Sequence, residues 1–296
     1  MPFAGESSSS NKAASSMSPP EVNSSARRPR RNLRSSRFPR GNVPFLRTSG
    51  MVAIFLTLQL FSGFSAVAAT TLTVAAASSL AHCLDDLHAA FTQAHPGITV
   101  QTTLGSSGTL VAQIHHGAPY DVFLSADMEY PAGLIKAGFA GSQPPLAYAE
   151  GRIAIWTLSE TLDISSGLPA LSQVRSLAIA QPEHAPYGLA AKNALERAGL
   201  WKKLKPHLVY GENIAQTAHF VASGNAEAGL VAASLLHTPA YAGVGHQKLL
   251  PAEGLLQGAV LTRRAKDNPT AKAYLEFLSS PEAQKILTRF GFTIPE

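Results

Sequence analysis

Residues 70–296 alternate short β-rich runs with stretches whose apolar residues recur at helical spacing. The run TLTVAAA at 71–77 predicts a strand, and the stretch 80–95, with leucines at 80, 84 and 87 and phenylalanine at 91, predicts a helix. Further strands are predicted at 98–104, 121–124, 152–157, 177–180, 208–210, 228–231 and 258–262, and helices at 110–115, 189–198, 215–222 and on both sides of Ser280-Pro281. Strands that alternate with helices in this way predict an α/β fold with mostly parallel sheets.

The first 69 residues have a different composition. Residues 1–50 contain twelve Ser, clustered Pro and few apolar residues, which predicts a disordered basic tail. Residues 51–69 are apolar and uncharged, follow Arg47 and end in AVAA, which is typical of a signal peptide cleaved near Ala68 or Ala69, with export to the periplasm. A transmembrane anchor is the alternative, which Ser, Gly and Gln within the run disfavour. The long segment before it leaves Met17 as an alternative start.

The formal net charge of +5 belongs to this tail. Residues 1–50 hold nine basic and two acidic residues, whereas residues 70–296 hold 15 basic and 17 acidic residues, a net charge of −2. A mildly acidic globular part argues against nucleic acid as a partner.

Other side chains suggest chemistry that their spacing does not support. The single cysteine, Cys83, excludes an internal disulfide. His82 and His88 lie six residues apart, which misses one helix face, so a metal site with Cys83 is disfavoured. Asp121 and Asp127 bracket a predicted strand and are expected to end it and cap the next element, rather than to act as an acid/base pair.

Two predicted strand-to-helix junctions are rich in hydroxyls. Ser78 and Ser79 follow the first strand, and the run GSSGT at 105–109 follows the second. In α/β sheets ligands bind beyond the carboxyl ends of strands, where helix N-termini offer unpaired N–H groups to anions. Ser78, Ser79, Ser107 and Thr109 are equally suited to be simple helix caps, so the residues alone leave both interpretations open.

Four runs, in this order, resemble the periplasmic molybdate-binding proteins of ABC importers: VAAASSL (74–80), GSSGTLVAQIHHGAPYDVFLSAD (105–127), QPEHAPYGLAAKNAL (181–195) and RFGFTIP (289–295). The resemblance spans residues 70–296. It implies a type II periplasmic binding protein fold, with two α/β lobes and a ligand cleft between them. It also implies that the chain is not an enzyme.

The resemblance also implies a ligand set. Ser79 and Ser107 would provide hydroxyl and amide donors, Tyr187 and Ile214 would provide backbone N–H groups, and Ser78 adjoins the site. Some members have a fifth ligand, a Tyr hydroxyl, in the strand that here contains Ala232.

Ala232 has no side-chain donor, so we expect the Tyr187 hydroxyl to enter the cleft in its place; the alternative is that the ring only covers the cleft mouth.

These residues suit a fully deprotonated oxyanion. Molybdate and tungstate need donors and no acceptor, whereas hydrogen phosphate carries a proton that would favour a carboxylate. The expected function is capture of molybdate, and of tungstate, and delivery to an ABC permease by a monomer with no cofactor, the metal being bound only as its oxyanion. Sulfate is the alternative ligand. A secreted serine hydrolase that uses Ser79 or Ser107 is the alternative class, and it requires a base within hydrogen-bond reach.

The order of elements predicts how the chain divides. Residues 70–146 and 259–296 are expected to form lobe 1 and residues 147–258 lobe 2, with two crossings as the hinge. Since the expected donors come from both lobes, ligand binding should close the cleft.

Overall fold

The computed structural model describes residues 70–251 and 254–296. The predicted tail at 1–50 and the predicted signal peptide at 51–69 lie outside the described residues. Among the helices that are described, none combines the length and the apolar character needed to cross a membrane.

Ten strands and eight α-helices make up the described chain. The strands are β1 (Thr70–Ala77), β2 (Ile98–Gly105), β3 (Val122–Leu124), β4 (Leu146–Gly151), β5 (Ile153–Thr157), β6 (Leu177–Ala180), β7 (Leu208–Gly211), β8 (Ala228–Ala232), β9 (His246–Leu249) and β10 (Leu255–Leu261). The helices are α1 (Leu84–Ala94), α2 (Ser107–His115), α3 (Glu129–Lys136), α4 (Pro186–Arg197), α5 (Trp201–Leu204), α6 (Ile214–Ala222), α7 (Pro269–Phe277) and α8 (Pro281–Arg289). A 3-10 turn, Ser78–Leu80, separates β1 from α1.

The strands form two five-stranded sheets with the same pattern of strand directions. The first has the order β2-β1-β3-β10-β4 and the second the order β7-β6-β8-β5-β9. In each sheet three neighbouring strands are parallel, and the fourth strand in the order pairs antiparallel with both of its neighbours. The predicted α/β fold with two lobes is confirmed, and both halves share this pattern.

The chain changes sheets twice. Arg152 alone separates β4 of the first sheet from β5 of the second, and the return runs from β9 to β10. The predicted lobe boundaries at 147 and 258 fall inside β4 and β10, which both belong to the first sheet. The changes of sheet therefore lie at Arg152 and between Leu249 and Leu255.

The central strands β1 and β3 of the first sheet are largely buried on both faces, whereas the edge strand β2 is mostly exposed. In β1, Leu72, Val74 and Ala76 pack into one apolar cluster with α1, α7 and α8, whereas Ala75 packs with α2 and α3 on the other face. This alternation follows the two-residue period of a strand. Because both faces are covered, the carboxyl ends of the strands, with the loops that come after them, are where this sheet is open to a ligand.

Most predicted strands are found within one or two residues of their predicted limits, as are the starts of α6 and α8, but three other helix starts are not. Helices α2 and α4 each begin three residues before their predicted first residue, at Ser107 and Pro186. The first helix was predicted from residue 80, yet α1 begins at Leu84, after the 3-10 turn. Strands β4 and β9 and helices α3 and α5 were not predicted.

Candidate functional site

One cavity brings together all five residues singled out from the sequence: Ser78, Ser79, Ser107, Tyr187 and Ile214. The rest of its wall consists of Ala77, Gly105, Ser106, Ala126, Ala185 and Pro186. None of these lining residues carries a formal charge. The cavity is small: its volume of about 10 Å³ is far below the roughly 300 Å³ at which pockets for organic ligands begin. A small, uncharged and polar cavity suits a compact inorganic ion.

The Ser79 hydroxyl is buried and lacks a hydrogen-bond partner in the part of the chain that the structure describes, which points to a role in ligand binding. Its side chain is only 2% exposed, and its Oγ has no hydrogen-bond partner among the described residues. A buried hydroxyl without a partner is costly unless a ligand or water completes it. Its backbone carbonyl accepts a hydrogen bond from Ser234 Oγ at 2.8 Å, which ties this turn to the segment directly after β8.

Ser107 and Ser78 have partners of a particular kind. Ser107 is fully buried, and its Oγ accepts a hydrogen bond from the Ala126 N–H at 3.0 Å. Ser78 Oγ accepts from the Ala215 N–H at 3.3 Å. Because both oxygens act as acceptors in these bonds, both hydroxyl hydrogens remain available for an acceptor such as an anion.

Three helices begin at the cavity, and in each the capping pattern omits the amide of a candidate residue. In α2, Ser106 Oγ caps the Thr109 N–H and the Gly108 N–H donates to the His184 carbonyl. In α6, Asn213 Oδ1 caps the N–H groups of the second and third residues. Ser107 and Ile214 are the first residues of these two helices. Neither cap accepts a hydrogen bond from their N–H groups, which therefore remain available to a ligand.

Helix α4 reaches the same result by another route. Its first residue, Pro186, has no N–H, and Ala185 before it provides no side-chain cap. The first available amide is therefore that of Tyr187. Each α-helix N-terminus carries a partial positive charge of roughly half an elementary charge, so three of them around one cavity stabilise an anion without any cationic side chain.

The Tyr187 side chain lies in a buried environment of its own. Its hydroxyl accepts a hydrogen bond from Gln257 Nε2 at 3.1 Å. Burial raises the pKa of the phenol well above its ordinary value, and the neighbouring Ser79 and Gln257 side chains offset only part of that rise. The hydroxyl is therefore neutral, and the ring is enclosed beside Gln257 and is not a cover at the surface. Whether it contacts a bound oxyanion stays a prediction.

Direct contacts join the two halves of the chain across the cleft. The Gly108 N–H donates to the His184 carbonyl at 2.9 Å, and Ser106 Oγ lies 2.9 Å from His184 Nδ1. His184 precedes α4, on the second sheet's side, and Gly108 lies in α2, on the first sheet's side. No separate signal in the sequence indicates these contacts, although both residues lie in the runs that carry the resemblance.

The other candidate chemistry does not assemble. Asp121 is buried, accepts hydrogen bonds from Thr73 and pairs with Arg264, whereas Asp127 accepts from the Tyr130 N–H at the start of α3. Asp127 therefore caps the start of the next helix, as expected, whereas Asp121 caps no element and instead connects β1 to Arg264. Within residues 70–251 and 254–296, no three His, Cys, Asp or Glu side chains are grouped to hold a metal ion. In the same segments, neither Ser79 nor Ser107 forms a hydrogen bond with a histidine, as a serine nucleophile would require.

Comparison with known proteins agrees with this geometry. The sequence profile of the family "bacterial extracellular solute-binding protein" matches residues 72–293. The molybdate-binding protein ModA of Rhodobacter capsulatus is 34% identical over 239 residues, which cover 79% of this chain and 93% of that protein. ModA of Azotobacter vinelandii is 34% identical over 80% of this chain and 96% of its own length.

A solved structure shows the same relationship in three dimensions. The periplasmic molybdate-binding protein of Azotobacter vinelandii superimposes with a TM-score of 0.71 at 32% identity, over 76% of this chain and all of that one.

Proposed function

The chain belongs to the bacterial extracellular solute-binding proteins, and within them to the molybdate-binding ModA proteins, and from that premise we propose that it captures molybdate for an ABC importer. It is a transport binding protein and not an enzyme. Its family gives it an extracytoplasmic location and a membrane permease as its partner.

One observation carries the choice of ligand. The cavity presents hydroxyl and amide donors and no carboxylate, lysine or arginine among its lining residues. A tetrahedral dianion with no proton of its own needs donors alone, so molybdate and tungstate suit this set of donors. Neutral donors also permit release to the permease, because no desolvated ion pair has to be separated.

The same geometry supports the ligand set. Ser79 and Ser107 provide hydroxyl and amide donors, and Tyr187 and Ile214 provide backbone N–H groups from the helices on the opposite wall. Ser78 assists beside Ser79. Metal enters the protein only as the oxyanion, and binding requires no cofactor.

The proposal extends to the movement of the lobes, the oligomeric state and the export of the protein. The two sheets belong to two lobes that close on the anion, and the protein acts as a monomer without binding nucleic acid. Residues 51–69 direct export to the periplasm and are then removed.

Calorimetry on residues 70–296 tests the function. Molybdate and tungstate should bind with 1:1 stoichiometry and submicromolar dissociation constants, sulfate more weakly, and phosphate least because its proton meets no acceptor. Stronger binding of sulfate than of molybdate would identify the protein as a sulfate carrier. Absence of binding by all four anions would refute the proposal.

A further inference from the structure

A line of buried hydrogen bonds leads from the first sheet to Tyr187. Tyr148 in β4 and Gln257 in β10 are almost completely buried, as is Tyr187 in α4. The Tyr148 hydroxyl lies 2.9 Å from Gln257 Oε1 and 3.2 Å from the carbonyl oxygen of Ser125, and Gln257 Nε2 lies 3.1 Å from the Tyr187 hydroxyl. Neither Tyr148 nor Gln257 lines the cavity.

The direction of these hydrogen bonds follows from which atoms can donate and which can only accept. Tyr148 has one hydroxyl hydrogen, and it faces two oxygens that only accept. Donation to Gln257 Oε1 turns the amide so that Nε2 faces Tyr187. The Tyr187 oxygen then accepts, and its own hydrogen is left for another acceptor.

That acceptor lies in the cavity. Ser79 is near enough to the Tyr187 hydroxyl to affect its pKa, and Ser79 Oγ has no hydrogen-bond partner among the described residues. If Tyr187 donates to Ser79 Oγ, the Ser79 hydrogen points onward to a bound anion. Hydrogen bonds in such a series polarise one another, so the terminal donor is strengthened.

The Tyr187 hydroxyl and the Gln257 amide can meet only because residue 151 is a glycine. A Cβ at Gly151 would lie 2.0 Å from the Tyr187 hydroxyl oxygen and 2.6 Å from Gln257 Nε2. Gly151 ends β4, directly before the crossing at Arg152. The hydroxyl and the amide therefore meet in a space that a glycine leaves open.

We propose that Tyr148 and Gln257 are positioning residues for the anion, because they orient the Tyr187 hydroxyl as a donor toward Ser79. The inference rests on the proposed function, since it needs an anion that accepts from Ser79. It assigns a role in binding to two residues of the first sheet that do not touch the ligand. It also accounts for a glutamine that is fully buried in a strand.

The test removes the hydroxyl that fixes the amide and leaves the cavity intact. In Tyr148→Phe the Gln257 amide is free to turn over and accept from Tyr187, so molybdate affinity should fall by about threefold to tenfold. Gln257→Met, which removes the amide, should lower affinity at least as much. The matched control is Tyr274→Phe, because Tyr274 is a buried tyrosine of the same sheet's core whose hydroxyl lacks a partner among the described residues. It should bind as the unchanged protein does.

A double-variant cycle separates positioning from a purely structural role. If Tyr148 acts through the Tyr187 hydroxyl, then Tyr148→Phe should cause no further loss of affinity in a Tyr187→Phe background. Equal affinity of Tyr148→Phe and the unchanged protein, or losses that multiply in the double variant, would overturn the inference. Thermal melting checks that each variant is folded. Failure of the unchanged protein to bind molybdate would refute the proposed function instead.

Discussion

Replacing Gly108 by alanine should prevent the two lobes from closing without destabilising either one. An ideal Cβ at Gly108 would lie 2.7 Å from His184 Cβ and 2.8 Å from the His184 carbonyl oxygen, and 2.6 Å from the Tyr130 hydroxyl. The tyrosine hydroxyl ends a flexible side chain and can move aside. The His184 backbone cannot move without carrying the start of α4 with it.

The required displacement gives the size of the effect. Ordinary van der Waals contact begins near 3.4 Å, so the His184 carbonyl at 2.8 Å has to retreat by about 0.6 Å. Tyr187 lies three residues beyond His184 and moves with it. A donor–acceptor distance of about 2.9 Å would lengthen to about 3.5 Å, where a hydrogen bond is largely lost. A bond to a charged acceptor contributes about 1.5–3 kcal/mol. Loss of one bond and weakening of a second cost about 2–4 kcal/mol, roughly a thirtyfold to thousandfold loss of affinity.

The assay combines calorimetry, thermal melting and small-angle scattering on the same samples. Gly108 lies in the first turn of α2, where alanine is a better helix former than glycine, so the melting temperature without ligand should not fall. Gly133→Ala is the control: Gly133 lies in α3, and a Cβ there would meet nothing within 4 Å. The control should bind molybdate normally and contract when saturated, whereas Gly108→Ala should stay open.

Normal molybdate affinity in Gly108→Ala, together with the same contraction as the control, would refute this reasoning. A lowered melting temperature without ligand would point instead to a clash within the first lobe.

Two further predictions concern the serines and the pH dependence of stability. Ser79→Ala and Ser107→Ala should each lower molybdate affinity by about tenfold to a hundredfold in calorimetry. Ser107→Ala should lower the melting temperature more than Ser79→Ala, because Ser107 Oγ accepts a hydrogen bond from the backbone N–H of Ala126; unchanged affinity in both variants would refute the assignment of these serines as ligands. Burial lowers the pKa of His88 from 6.5 to about 4, with Asp85 offsetting part of the effect. The unfolded chain therefore binds the extra proton between those values, and the free energy of unfolding should fall by up to about 3 kcal/mol as the pH drops from 6.5 to 4. Denaturant titrations at several pH values give the free energy of unfolding as a function of pH. This free energy should depend less steeply on pH in His88→Gln than in the unchanged protein, and equally steeply in the surface variant His116→Gln. The same pH dependence in all three proteins would refute the assignment to His88.

The sequence predicted the strands better than the helix starts, for a physical reason. Strands such as β6, at Leu177–Ala180, are continuous apolar runs between polar residues, and these limits are visible in the sequence. Helix α2 begins with Ser107, Gly108 and Thr109, which are polar or small, so its apolar periodicity first appears at Leu110. Ser107, which the hydrophobic pattern overlooks, is the residue of this helix that lines the cavity. Helix α4 was predicted from Leu189, which is exposed, whereas Tyr187 before it belongs to the buried face of the helix.

The candidate site was predictable as a set of residues but not as a set of bonds. Hydroxyls at two strand-to-helix junctions pointed to an anion site, and resemblance added Tyr187 and Ile214. The contact between Gly108 and His184 depends on two segments 76 positions apart along the chain meeting across the cleft. Gln257 could have been noticed as a polar residue within the strand LLQGAVL, but its partners, Tyr148 and Tyr187, are defined only by the packing of both halves.

The position of β10 has a consequence for how the protein is made. The second sheet is encoded in one uninterrupted stretch, from β5 to β9, so it can assemble while synthesis or export is still under way. The first sheet cannot, because β10 inserts between β3 and β4, and helices α7 and α8 cover one of its faces. Strands β1 to β4 must therefore wait, with their apolar faces uncovered, until β10, α7 and α8 have emerged. During that interval the growing chain presents its first half to chaperones, and a truncation near the C-terminus would damage the half of the protein that was synthesised first.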